Sequence, residues 1–163
     1  MNAYSQLRED NDQLRALIAR WRATPQSVAR LLPQAAAELR ATAAAKEREL
    51  YPAVLRHDPG RAALVDEAVR TNRQVEAFLT AAEDLGPDGN GFLDEAYEAA
   101  AAADGQLLHE RRDIFPALAP DNIPETELAR VVDRMHTAGM DRGRDHHMTA
   151  THRTSARLDE GGH

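Results

Sequence analysis

Steps of three and four residues between apolar side chains recur along most of this chain, and they leave little choice but long amphipathic helices packed side by side. Leu7, Leu14, Ile18 and Trp21 form one such stripe, predicting a helix from about Ser5 to Ala23 with Asn11 in the vacant slot of its seam. Thr24 followed by Pro25 reads as a cap and first helical residue, and the stripe Val28, Leu32, Ala35, Leu39, Thr42, Lys46, Leu50 carries a second helix to about Tyr51. Pro33 is expected to kink that helix or delay its start. His57-Asp58-Pro59-Gly60 is a turn.

A third helix, about Arg61 to Leu85, shows Val65, Ala68, Asn72, Val75, Leu79 and Ala82 on its seam with Glu76 beside it, and it ends at the loop Gly86-Pro87-Asp88-Gly89-Asn90-Gly91. The fourth, about Phe92 to Pro116, carries Leu93, Tyr97, Ala100, Leu107, Ile114 and Leu118, which puts Arg111 on the stripe and Gln106 and Glu110 on its flank. A short fifth helix holds Leu128, Val131, Val132 and Met135, with Gly139 as its C-terminal cap, and is expected across the end of the bundle. The expected fold is therefore all-α: an antiparallel up-down-up-down four-helix bundle plus a short helix over residues 1–139. Residues 140–163 lose apolar periodicity and are expected to form a flexible tail.

Composition narrows the function. Without cysteine the chain has no disulfide framework, thiolate metal site or cysteine nucleophile. With 20 Lys and Arg against 27 Asp and Glu, and no basic stripe interleaved with aromatics, it is not expected to bind nucleic acid. The charged opening, with Arg8, Glu9, Asp10 and Asp12 and no apolar run, gives the expectation of a cytoplasmic protein with no leader and no membrane partner.

The seams themselves carry the chemistry. Asn11, Thr42, Lys46, Asn72 and Arg111 interrupt otherwise aliphatic stripes, and Glu76, Gln106 and Glu110 lie next to them, all near the middles of their helices. One buried amide can fix a helical register. Several at once must satisfy one another or a ligand, because an unpaired buried polar group costs about 1 to 3 kcal/mol. Lys46 and Arg111 offer only donors and positive charge, which suits a small anionic or carbonyl-bearing organic molecule rather than a metal ion. Lys46 is then the pivot, a general base or Schiff-base amine acting without a cofactor, with Glu76 or Glu47 as proton partner. Asn11, Thr42, Asn72, Gln106, Glu110 and Arg111 are the expected ligand-binding set. A self-satisfied network, Lys46 with Glu76 and Arg111 with Glu47 or Glu110, is the competing reading.

Several of these segments resemble a known family. Glu47-Arg48-Glu49-Leu50-Tyr51-Pro52 and Glu110-Arg111-Arg112-Asp113-Ile114-Phe115-Pro116 resemble the paired E-E-x-x-L-[YF]-P helix ends of hemerythrin-like (HHE cation-binding) domains. The opening MNAYSQLREDNDQL resembles the start of actinobacterial members, and Asn72-Arg73-Gln74-Val75 resembles their H-R-Q-V. The resemblance covers about Met1 to Gly139 and implies a four-helix bundle holding two irons on His and carboxylate ligands, with oxygen, peroxide or nitric oxide chemistry. At nearly every implied ligand the sequence departs. Asn11, Asn72 and Gln106 stand where the family has His, Thr42 and Lys46 replace an H-x-x-x-E pair, and Arg111 takes a carboxylate position.

Three functions follow as expectations. The first is a metal-free, cofactor-independent binder of a small organic molecule. The second is a non-enzymatic interaction or regulatory bundle working through its exterior or through the tail residues His146, His147, His152, Arg142, Arg144, Arg153 and Arg157. The third is a di-iron oxygen-handling protein using unplaced ligands such as His109 or His136.

Overall fold

The computed structural model describes residues 1–140; the tail that the sequence reading expects to be flexible lies outside them. Helix α1 spans Ala3–Trp21, with the Asn2 side chain accepting the Ser5 N–H at 2.8 Å. Thr24 caps α2, Pro25–Ala45, by accepting the Ser27 N–H at 3.1 Å, and Pro25 sits at the start as expected. Pro33 lies inside α2 and does not delay its start.

The second helical rod is longer than its periodicity indicates. A π-helical turn, Lys46–Leu50, joins α2 to α3, Tyr51–His57, so helical backbone continues past Tyr51. A short 3-10 turn, Pro59–Arg61, leads into α4, Ala62–Leu85. The loop between Gly86 and Gly91 has both glycines at positive φ, 71° and 89°, where a Cβ would be strained. Helix α5 runs Phe92–His109 and passes into a second π-helical turn, Glu110–Ile114, then a 3-10 turn, Phe115–Leu118. The fourth helix is therefore not regular to Pro116.

Both π turns have one cause. Each stands directly before an aromatic-proline pair, Tyr51-Pro52 and Phe115-Pro116. A proline ring collides with the carbonyl four residues back and donates no N–H. Widening the preceding turn relieves this, and the Tyr51 and Phe115 N–H groups donate instead to the carbonyls of Lys46 and Glu110.

The buried side chains form two apolar clusters, and these fix the topology. One holds Leu14, Trp21, Val28, Leu39, Val75, Leu79, Phe92 and Leu107, the other Leu7, Leu50, Tyr51, Val54, Val65, Ile114 and Phe115. Helix α1 runs from the second cluster to the first, α2 returns, α4 repeats the passage of α1, and α5 that of α2 and α3. This is the up-down-up-down bundle that the stripes imply. Helix α6, Glu125–Met135, adds Leu128, Val131, Val132 and Met135 to the second cluster, packing on α1 and on the first π turn. Gly139 is not a simple cap. It lies in a π turn, His136–Met140, pressed onto α2, where an added Cβ would stand 2.9 Å from the Ala41 carbonyl oxygen.

Candidate functional site

A polar belt separates the two clusters. Each rod contributes at the level where its stripe changes character: Asn11 between Leu7 and Leu14, Thr42 and Lys46 between Leu39 and Leu50, Asn72 between Ala68 and Val75, and Gln106 with Glu110 between Ala103 and Ile114. Lys46 keeps 6% of its surface and Glu110 1%, so both charges are inside the protein.

The two are paired. Lys46 Nζ donates to Glu110 Oε2 across the bundle, and the Tyr51 hydroxyl donates to Oε1. Gln106 Nε2 adds a second donor to Oε1 at 3.2 Å. A lone buried carboxylate would be untenable, whereas this one has a partner on each oxygen. Lys46 Nζ also stands 5.9 Å from the centroid of the Phe115 ring, a cation–π contact on the side of the second cluster. Burial first, and the Glu110 charge second, push the Tyr51 phenol well above its ordinary range, so it remains a neutral donor.

Beside this pair lies a cavity of about 240 Å³. Much of its wall is apolar, formed by Leu14, Leu39, Val75, Leu79, Ala103 and Leu107, and Thr42, Lys46, Asn72, Gln106 and Glu110 belong to the same lining. Arg40, Glu47, Arg73 and Glu76 line it where α2 and α4 face each other, and these four are partly or well exposed. They are locked in pairs: Arg40 Nε to Glu76 at 2.7 Å, Arg73 Nη1 to Glu47 at 3.2 Å, with Asn72 Nδ2 also reaching Glu47 at 3.4 Å. Bonding to Arg40 holds the Glu76 carboxyl below its ordinary range.

Most of the residues expected at the site thus line one cavity, with different partnerships. Glu110 touches Lys46, whereas Glu76 and Glu47 are engaged by arginines at the mouth. Neither expected pairing, Lys46 with Glu76 or Arg111 with Glu47 or Glu110, is formed. Arg111 does not line the cavity. It is one-third exposed and bonds Asp12 on the surface. Leu107, Glu110, Ile114 and Leu107, Arg111, Ile114 are equally good helical stripes, and the structure turns Glu110 inward because Arg111 there would set a second cation beside Lys46. Asn11 is buried but lies outside this cavity, its Nδ2 donating to the Leu107 carbonyl at 3.1 Å and its Oδ1 without a partner among the described residues.

Sequence reasoning missed Tyr51, Arg40 and Arg73. Tyr51 was visible as part of the aromatic-proline motif, but only the π turn carries a residue five positions after Lys46 toward the same face.

The two irons implied by the family resemblance do not fit these residues. Among the described residues no group of three or more His, Asp or Glu is placed to hold a metal ion. The belt offers one carboxylate, whose oxygens already accept from Lys46, Tyr51 and Gln106, and an ammonium that repels a cation. The imidazoles among the described residues lie elsewhere: His57 pairs with Glu127 at 2.9 Å, His109 with Asp113 at 2.9 Å, and His136 with Asp10 at 2.7 Å.

Comparison with known proteins agrees with the architecture. Residues 2–118 match the family model of the hemerythrin HHE cation-binding domain. No curated protein and no solved structure matches the chain. Among the described residues, no helix is long and apolar enough to cross a membrane.

Proposed function

Because the chain belongs to the hemerythrin HHE cation-binding domain family yet carries an ammonium–carboxylate pair at the centre of its bundle, we propose that it uses the family's fold without the family's metals, as a binder of a small organic molecule. One observation carries this reading. A cavity of about 240 Å³, large enough for a small ligand, is lined by apolar side chains together with Thr42, Lys46, Asn72, Gln106 and Glu110.

The charge balance selects among ligands. Lys46 is already neutralised by Glu110, and Arg40 and Arg73 by Glu76 and Glu47, so a free carboxylate has to compete with an existing partner for each cation. A neutral carbonyl group needs only a donor. Lys46 has further N–H bonds to give, and the amides of Asn72 and Gln106 add others, while the apolar wall receives the hydrocarbon part. The favoured ligand is therefore a mostly apolar molecule of modest size with one carbonyl, with carboxylates second.

The test has two parts. Elemental analysis of untagged protein expressed with iron is expected to find no stoichiometric metal, and its absorption spectrum no oxo-bridge band; about two irons per chain would sink the reading. Calorimetric titration with butanal, cyclohexanone and the corresponding carboxylates is expected to show saturable binding by the wild type, lost in Lys46→Met/Glu110→Gln, a pair of neutral near-isosteres. Absence of heat with every compound would overturn it.

A further inference from the structure

Lys46 is the only lysine in the chain: of its 20 basic residues other than histidine, 19 are arginine. Every exposed basic side chain on the bundle other than histidine is therefore a guanidinium, and the single primary amine on a side chain is buried against the cavity. The two residue types differ in one respect that matters here. A guanidinium does not deprotonate in a protein and forms no stable adduct with a carbonyl, whereas an amine does both.

The surroundings of this amine match what such chemistry requires. Glu110 Oε2 already accepts a proton from Lys46 Nζ in a hydrogen bond. Tyr51 and Gln106 both donate to Oε1, so the oxygen turned to Lys46 is the one left to exchange protons. The Tyr51 phenol, kept neutral by burial and by Glu110, positions the carboxylate without competing for its proton. The cavity brings an apolar carbonyl compound to the same amine.

We infer that Lys46 condenses with an aldehyde or ketone bound in the cavity to form an imine, with Glu110 as the proton carrier. The step rests on the proposed binding of a carbonyl compound and needs no oxidant or cofactor. Glu110 first takes one proton from the Lys46 ammonium. The freed nitrogen pair attacks the carbonyl carbon, and the carbonyl oxygen takes that proton from Glu110. Glu110 then removes a second proton from the attached nitrogen; the nitrogen pair forms the C=N bond as the C–O bond breaks, and the departing hydroxyl leaves as water with the proton from Glu110. One carbonyl and one ammonium become one iminium and one water. Charge is conserved at every point, and the iminium inherits the pairing with Glu110, so the buried carboxylate is never left without a cation in the product.

Sole possession of a lysine makes the inference directly readable. The 163-residue chain is incubated with butanal or cyclohexanone and reduced with cyanoborohydride, and the alkyl group is located by peptide mass spectrometry; in a chain expressed with this sequence the α-amine of Met1 is the other primary amine. The expected result is one alkyl group on Lys46, added saturably and about tenfold or more faster than to N-acetyl-lysine, and competed by cyclohexane carrying no carbonyl. Tyr51→Phe, which removes a donor that positions Glu110, is expected to slow labelling by a larger factor than it weakens the calorimetric affinity. Saturable binding with label on Met1 alone would overturn the imine and leave the binding proposal standing. Absence of both binding and label would overturn both, and labelling of Lys46 that rises linearly at the rate of free lysine would overturn the imine as a site-directed step.

Discussion

Lys46 Nζ and Glu110 Oε2 stand in hydrogen-bond contact although 64 residues separate them, and each is almost wholly buried. One arises where α2 widens into its π turn and the other where α5 does, so the same backbone irregularity frames both halves of the pair. An ion pair in this position ties opposite walls of the bundle at the level where their apolar cores are interrupted.

Removing one partner is far worse than removing both charges. Lys46→Met leaves Glu110 buried with only neutral donors, and the expected loss is about 3 to 5 kcal/mol. Adding Glu110→Gln restores most of it, since Tyr51 and Gln106 can still bond an amide oxygen. Urea unfolding of the two variants and the wild type measures the difference; equal losses in the two variants would contradict the pairing.

Alkaline pH should weaken the fold through Tyr51. Its phenol is held protonated in the folded state, while in the unfolded chain it ionises near the ordinary tyrosine value of about 10. The folded form then binds more protons, so the contribution is complete below about 10 and is lost as pH rises above it. Urea midpoints of the wild type are expected to fall more steeply between about pH 9 and 11 than those of Tyr51→Phe.

Filling the cavity should separate binding from folding. Ala103 is buried on the cavity wall, and Ala103→Leu places three more carbons in the void. Ligand heats are expected to vanish while stability rises by about 0.5 to 2 kcal/mol. Retained binding at full affinity would place the ligand elsewhere.

Gly139→Ala tests the docking of the last described turn. The new methyl would meet the Ala41 carbonyl oxygen at 2.9 Å and Ala45 Cβ at 3.3 Å, and a helix carbonyl has no room to yield. A loss of about 1 to 3 kcal/mol is expected, with faster amide exchange at the C-terminal end of α6.

The stripes of Leu, Val, Ile and Ala, the cap at Thr24 and the glycine loop before Phe92 specify four antiparallel rods by themselves, because helical periodicity and turn chemistry are local properties. The belt of Asn11, Thr42, Lys46, Asn72 and Gln106 is legible for the same reason: each is a polar residue at an apolar position of its own stripe. Which of them meet is not local. Glu110 and Arg111, in the π turn after α5, fit the stripe of the fourth rod equally well, and the opposing charge of Lys46 on another rod favours Glu110. Tyr51 reaches the site only through a π turn that a proline imposes, Arg40 and Arg73 are ordinary surface cations until Glu76 and Glu47 lie opposite, and the void beside Lys46 exists only once four helices have failed to fill it. Sequence alone determined the rods and the level of the polar layer; tertiary structure decided the partners, because a buried charge takes whichever counter-charge packing brings within reach.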